Sequence, residues 1–519
     1  MKNHVWQSSG CTVCRDSLVK WTVPLVGILL VTSDVTAAVW YVDRDNLSGM
    51  QDGLRWATAY NAIQPAIDAA YAGGGGEVWV AEGIYDERRT TYVYPRIPSV
   101  NNGALLLKSG IELYGGFSGI ETVREERDWR MHPTVIDGST ARDGYPSYQV
   151  VWVESRATIL DSVIVRGGRA EGDYAEMSSG GGIGGYDPAV TANCTIKENF
   201  AVAPGAGMVI GEGTPVIVNC TFQNNESMQS GGAVDLANSA SRPEIVGCWF
   251  IGNTSQSGGG GAIGGFGGHL TVRNSVFVGN RAGTIPGGDG YGGAIHKFFD
   301  VMTLENCVFF GNHASTEGAA LRTSGSFNPE MGEYDTRIYL HNCTFWANVA
   351  GEGSAVLHNT GAVVNVRNSV FWNNTPLQIV NNVTDYPPLF SVHHCLVQGG
   401  YEGEGNLDLD PQFVDAVNGD VRLRPTSPCI DVGTVDFAPA ADIRGVARPQ
   451  GAGVDIGTYE YQAGDELDID ASGGTDAVDV QLVINGALGL DSRASSDVDG
   501  NSVVDAIDVQ LVINAALGL

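Results

Sequence analysis

The chain is poor in charge, and above all in positive charge. Only 17% of its 519 residues are Asp, Glu, Lys or Arg, which excludes a coiled coil or an ordinary helical bundle. Lysine and arginine number 29 against 59 acids, a formal net charge of −30, so phosphate backbones and anionic membrane surfaces are repelled and nucleic acid is excluded as a partner. Long apolar runs are missing as well. The run from Trp21 to Val31 has about 11 residues where a bilayer span needs about 20, and no later stretch is long enough. What abounds is glycine, 71 residues without the triplet period of collagen, and this points to turns.

Lys2, Arg15 and Lys20 precede the apolar run, and Val35-Thr36-Ala37-Ala38 follows it with small residues suited to cleavage. Residues 1–38 therefore read as a secretory signal. Its removal leaves no transmembrane anchor and places the protein outside the cell or on its outer surface. Cys11 and Cys14 leave with the signal, so the mature chain keeps seven cysteines.

The middle of the chain repeats. Asn193-Cys194-Thr195-Ile196 recurs as Asn219-Cys220-Thr221-Phe222, Gly247-Cys248-Trp249-Phe250, Asn274-Ser275-Val276-Phe277, Asn306-Cys307-Val308-Phe309, Asn342-Cys343-Thr344-Phe345 and Asn368-Ser369-Val370-Phe371, with spacings of 26, 28, 27, 32, 36 and 26. His394-Cys395-Leu396-Val397 is a decayed further copy. Another asparagine follows in each copy, at 199, 225, 253, 280, 312, 348 and 374, and then a glycine-rich phrase such as Gly260-Gly261-Ala262-Ile263. Apolar residues sit two apart (Leu270, Val272), lose phase at Asn274 and resume at Ser275 and Phe277. A strand cannot change its buried face without a bend, so the chain turns a corner there. Short strands joined by corners stack most simply as a parallel β-helix, with equivalent residues about 4.8 Å apart. The asparagines then form ladders. Cys194, Cys220, Cys248, Cys307, Cys343 and Cys395 share one inward column, read as reduced small side chains, with disulfides between rungs as the alternative.

The pairing of Phe-x-x-Asn (Phe222 to Asn225, Phe250 to Asn253, Phe277 to Asn280) with Gly-Gly-Ala-Ile resembles the repeats of chlamydial polymorphic outer membrane proteins and, more broadly, is similar to right-handed β-helix proteins of the pectin-lyase-like class. Tyr41-Val42-Asp43, the helix-like stretch Ala62 to Ala70 and Gly83-Ile84-Tyr85 resemble the N-terminal cap of bacterial members. Tyr114-Gly115-Gly116-Phe117 and Pro133-Thr134-Val135-Ile136-Asp137-Gly138 resemble their first coils. Asp410-Pro411-Gln412-Phe413, Ser427-Pro428-Cys429-Ile430-Asp431 and Asp455-Ile456-Gly457-Thr458-Tyr459-Glu460 look like the closing module of sorted surface proteins. The resemblance implies an all-β, right-handed parallel β-helix over residues 39–462.

From Asp465 onward there are eleven acids and one arginine. Val480-Gln481-Leu482-Val483-Ile484-Asn485 recurs as Val509-Gln510-Leu511-Val512-Ile513-Asn514. Ahead of each copy oxygen donors fall at alternate loop positions. Asp468, Asp470, Ser472, Asp476 and Asp479 stand at positions 1, 3, 5, 9 and 12 of the first loop, with the carbonyl of Gly474 at 7; Asp497, Asp499, Asn501, Asp505 and Asp508 do so in the second, with Val503 at 7. Hard cations need six to eight converging oxygens, so the pattern predicts about two calcium ions. Two loop-plus-helix copies resemble a type I dockerin, implying a small all-α, EF-hand-like domain at 463–519 and a cohesin-like scaffold as partner. Ser502 replaces the usual loop glycine, and Ala477-Val478 and Ala506-Ile507 replace the hydroxyl residues that often set partner choice in that family.

Catalytic strings are absent. There is no adjacent Asp-Asp pair, no Asn-Thr-Asp or Gly-His-Gly string and no Trp-x-Asp-His. After the glycine-rich phrase, Asp235, His296 and Arg322 fall in one outward column, flanked by insertions at 281–291 and 323–337. Tyr291, Phe298, Phe299 and Tyr334 supply rings for stacking on sugars. The sequence thus predicts a secreted or cell-surface protein that binds polysaccharide or another envelope component through its solenoid face and attaches to a scaffold through calcium. A polysaccharide lyase or glycoside hydrolase is the alternative.

Overall fold

The computed structural model describes residues 38–93, 100–325, 327–328, 333–351, 355–382, 390–463, 467–469, 475, 477–488, 496, 498, 504 and 506–516. The proposed signal, but for Ala38, lies outside them. Among the described residues no helix is long and apolar enough to cross a membrane. Residues up to Asp408 and residues from Leu409 belong to two compact units.

In the first unit successive coils contribute strands to three long parallel sheets. One has twelve strands, from Val39–Val42 to Phe390–His393; one has eleven, from Gly83–Tyr85 to Leu396–Val397; one has ten, from Leu105–Leu107 to Leu377–Asn381. A fourth sheet of six two-residue strands runs from Arg169–Ala170 to His313–Ala314. Like residues pair across rungs, so Phe222, Phe250, Phe277 and Phe309 face one another in register. The unit is a parallel β-helix.

The corners follow from the recurrent asparagines. Asn193, Asn219, Asn274, Asn306, Asn342 and Asn368 all adopt φ between 49° and 53°. This left-handed conformation penalises residues with a Cβ, and asparagine tolerates it best after glycine. It explains both the loss of apolar phase at this position and the interchange with Gly247 (φ 65°). A second left-handed corner falls at Asn224, Gly252, Gly279, Gly311, Ala347 and Asn373, one residue before the buried asparagines.

Inside, like side chains lie over like. Phe222, Phe250, Phe277, Phe309, Phe345 and Phe371 stack with ring centroids 4.5 to 5.0 Å apart and planes 3° to 6° apart. All seven cysteines of the described chain are free and buried. The interchange of cysteine with serine has a hydrogen-bonding cause. Ser275 Oγ donates to the carbonyl of Arg273 and accepts from the Cys248 amide, while Cys248 Sγ faces the carbonyl of Val246 and accepts from the Cys220 amide.

The Asn225 to Asn374 column is a fully paired amide ladder. Each Nδ2 donates to the next Oδ1 at 2.9 to 3.0 Å and to the carbonyl of the phenylalanine or isoleucine strand behind it. Each Oδ1 also accepts the backbone N–H of the asparagine before it. Helix Ile63–Ala72 closes the N-terminal end, as its sequence predicts, burying Ile63, Ala66, Ile67 and Ala70 in the common core.

The second unit holds an antiparallel pair, Phe413–Asp415 with Asp420–Leu423, and a buried ion pair of Arg448 with Glu460 at 2.7 Å. Its helices Ala477–Ala487 and Ala506–Ala516 pack about Ile469, Val483 and Val512.

Asn280→Ala is expected to lower solenoid stability by about 3 kcal/mol, because it strands the Asn253 amide and weakens its neighbours' pairing inside the core. Ser275→Cys is expected to cost less than about 1 kcal/mol, since cysteine already fills that place on other rungs. Denaturant melts of both variants check the difference.

Candidate functional site

The ten-stranded sheet alternates inward apolar residues with residues on its outer face. Ile263 pairs with Ile295 and Leu321 with Leu357 inside, so Gly264, His296, Arg322 and His358 follow one another outside. Asp235 pairs with Gly264 and stands at the head of the same column. The predicted column exists, but only His296 and Arg322 meet. Gly264 contributes no side chain between them and Asp235, and the space a Cβ would take there is filled by the backbone of Gly231 and Gly259. Asp235 is 5% exposed and accepts a hydrogen bond from Ser230 Oγ at 2.7 Å. Burial pushes its carboxyl up to about 6.

Around Arg322 the column becomes a polar cluster. Its Nη1 lies 2.8 Å from His296 Nε2 and hydrogen-bonds Ser324 Oγ, while Nε pairs with Glu317 Oε2 at 2.8 Å. Since guanidinium can only donate, His296 accepts at Nε2 and its proton sits on Nδ1. Burial and the adjacent Arg322 hold the His296 imidazole well below its ordinary pKa. His358 is likewise lowered by burial; its Nε2 lies 3.9 Å from Glu317 Oε2 and 3.0 Å from the exposed amide of Asn382. Both histidines are neutral near pH 7, so the charges of the cluster are Arg322 and Glu317.

The insertion at 281–291 builds one wall. Gly290–Tyr291 pairs with Gly258–Gly259, and Tyr291 bridges to Glu317, so the residue ahead of each glycine-rich phrase lies over the sheet in a layer of its own. Gly259 must be glycine here, because a Cβ would strike the His296 ring. The Arg322 guanidinium lies 4.3 Å from the centre of the Tyr291 ring. Phe298, two residues beyond His296 on the same face, approaches its ring at 4.2 Å. Phe299 is part-exposed beside it. The insertion at 323–337 returns as an antiparallel pairing of Phe327–Asn328 with Glu333–Tyr334; the Tyr334 side chain lies outside the described residues.

Glu317, His358, Asn382 and Phe266, whose ring stacks on Phe298 at 4.7 Å, belong to this site and were not singled out from the sequence. A signal existed for two of them. Glu317 occupies the place of Tyr291 ahead of a glycine-rich phrase. His358 follows Ser354-Ala355-Val356-Leu357, where the leading glycine of that phrase has become serine and so disguises the copy.

In the second unit Asp468, Asp479 and Asp508 are all buried, and the Val498 amide donates to Asp508 Oδ1 at 2.7 Å. Arg422 approaches Asp468 at 3.6 Å. Asp470, Ser472, Gly474, Asp476, Asp497, Asp499, Asn501, Val503 and Asp505 lie outside the described residues. Asp479 and Asp508 each lie in the first turn of a helix.

A family model described as right handed beta helix region matches residues 108–277, ending before His296. Among solved structures the chain is similar to that of pectate lyase Pel9A, with 14% identity, a TM-score of 0.45, and 82% of this chain and 96% of that chain covered. No curated protein sequence matches.

The raised Asp235 carboxyl fixes the sign of a pH effect. The unfolded chain ionises this group near about pH 4 and the folded chain near about pH 6, so folding stability falls as pH rises between the two. Asp235→Asn keeps an acceptor for Ser230 and removes the charge. The variant is expected to match wild type below about pH 4 and to exceed it by up to about 3 kcal/mol above pH 6, in urea melts across that range.

Proposed function

We propose that the protein is an exported β-helix that binds polysaccharide on the outer face of its ten-stranded sheet, around Arg322, and is attached to a scaffold by a calcium-dependent, dockerin-like C-terminal domain. The observation that carries the first half is the convergence of Arg322, Glu317, His296, His358 and Asn382 from four successive coils beside exposed aromatic rings. Sugar hydroxyls pair with such mixed donors and acceptors, and their apolar C–H faces pack on rings. Arg322 serves this reading directly, while His296, 4% exposed and packed between Tyr291 and Phe298, and His358, 2% exposed, orient Arg322 and Glu317 from beneath. Asp235, shut beneath Ser230, supports the sheet rather than touching ligand.

The second half rests on the repeated donor pattern and on the paired helices that begin at position 10 of each loop. Eleven carboxylates in a short segment repel one another until a cation neutralises them, so calcium and folding of this domain are coupled.

Wild type is expected to be retarded in affinity electrophoresis by at least one glycan of a broad panel, and Arg322→Ala to lose that retention by about tenfold in affinity, because it removes the ligand contact and leaves Glu317 unpaired. Release of reducing or unsaturated ends from the same panel would instead favour the lyase or hydrolase reading. Calorimetry of the full chain is expected to show about two calcium ions bound, with Asp479→Asn and Asp508→Asn each removing one; a featureless titration would sink the attachment half.

A further inference from the structure

Phe266 is the odd member of the site. It stacks on Phe298 with centroids 4.7 Å and planes 18° apart, yet it is 60% exposed. The reason lies in the rung before it. Leu236 pairs with Gly265, which sets Ala237, itself exposed, in the place preceding Phe266, and one methyl cannot cover a phenyl ring. One ring face is therefore bare, while the other is propped by a second ring that holds it fixed.

The same column changes character beyond the rings. After Phe298 it continues with Ser324 and Thr360, whose hydroxyls lie 3.1 Å apart, and then Asn382 with its exposed amide. Beside it run His296, Arg322 and His358. The strip thus offers an apolar platform at one end and hydrogen-bonding groups at the other, the pattern of a pyranose chain whose ring faces are apolar and whose rims carry hydroxyls.

Charge selects among such chains. Arg322 is neutralised by Glu317, both histidines are uncharged, and the Nζ of buried Lys297 is turned to the carbonyls of Gly267 and Phe298. Among the described residues of the cluster, therefore, no cation is left open to a carboxylate or sulfate, and the chain as a whole carries −30. A polyuronate would approach against that field.

We propose that Phe266 is the stacking platform for an uncharged polysaccharide, a chain of neutral hexose or pentose rings, with Asn382 and the Arg322–Glu317 pair reading its hydroxyls. The proposal rests on the carbohydrate reading above and narrows it to one chemical class.

The test uses the full chain in affinity electrophoresis against soluble xylan, mannan and mixed-linkage glucan, with polygalacturonate and alginate as the acidic arm. Retention by at least one neutral glycan, unchanged in high salt, is expected, with Phe266→Ala weakening it about tenfold and Phe266→Trp preserving it. Because Phe266 is largely exposed, the alanine variant should melt like wild type, which checks that it folds. Retention by polyuronates alone, abolished by salt, overturns the neutral class but leaves carbohydrate binding standing. Neutral binding lost in Arg322→Ala but untouched in Phe266→Ala overturns the platform alone. No retention by any glycan overturns both.

Discussion

The coils between Asn199 and Asn374 depend on a single satisfied column of hydrogen bonds. Each asparagine from 225 to 348 spends its carbonyl on the turn before it and its amide on both the strand behind and the asparagine after. Buried polar groups without such partners cost more than most packing contacts return. The ladder therefore locks one coil exactly one strand spacing above the last in a way that apolar packing alone would not. Stacked phenylalanines and the cysteine column then fill the space that this register defines, which is why they repeat with it.

A rigid stack has a functional consequence. Side chains on the outer face are placed by backbone that cannot slip, so residues far apart in sequence meet with fixed geometry. Arg322 touches His296 from the coil before and lies beside the Glu317 that also faces His358 of the coil after. Insertions lengthen the chain without disturbing this register, because they leave the solenoid at a corner and re-enter it in phase, and one of them brings Tyr291 over the Arg322 guanidinium. The polar cluster and the bare ring of Phe266 are thus products of the same stacking that makes the core.

The two units rest on different physics. In the solenoid the buried asparagines of the ladder are paired with one another and with backbone carbonyls. Among the described residues the C-terminal helices pack about Ile469, Val483 and Val512, and the sequence ahead of each helix is rich in acids.

The repeat made the architecture legible before any coordinates: corners at asparagine, strands of period two and the inward cysteine column follow from local spacing, because steric rules for φ and the alternation of strand faces act within a few residues, whereas the capping helix was expected from the resemblance alone. The pairing of His296 with Arg322 was legible for the same reason, since both follow the same phrase one copy apart. What spacing could not show was depth. Whether Asp235 opens to solvent or lies under Ser230, whether Glu317 and Asn382 reach the column, and which face of Phe266 stays bare are settled by loops that fold back over the sheet, and their paths depend on contacts between distant coils rather than on any neighbouring residue.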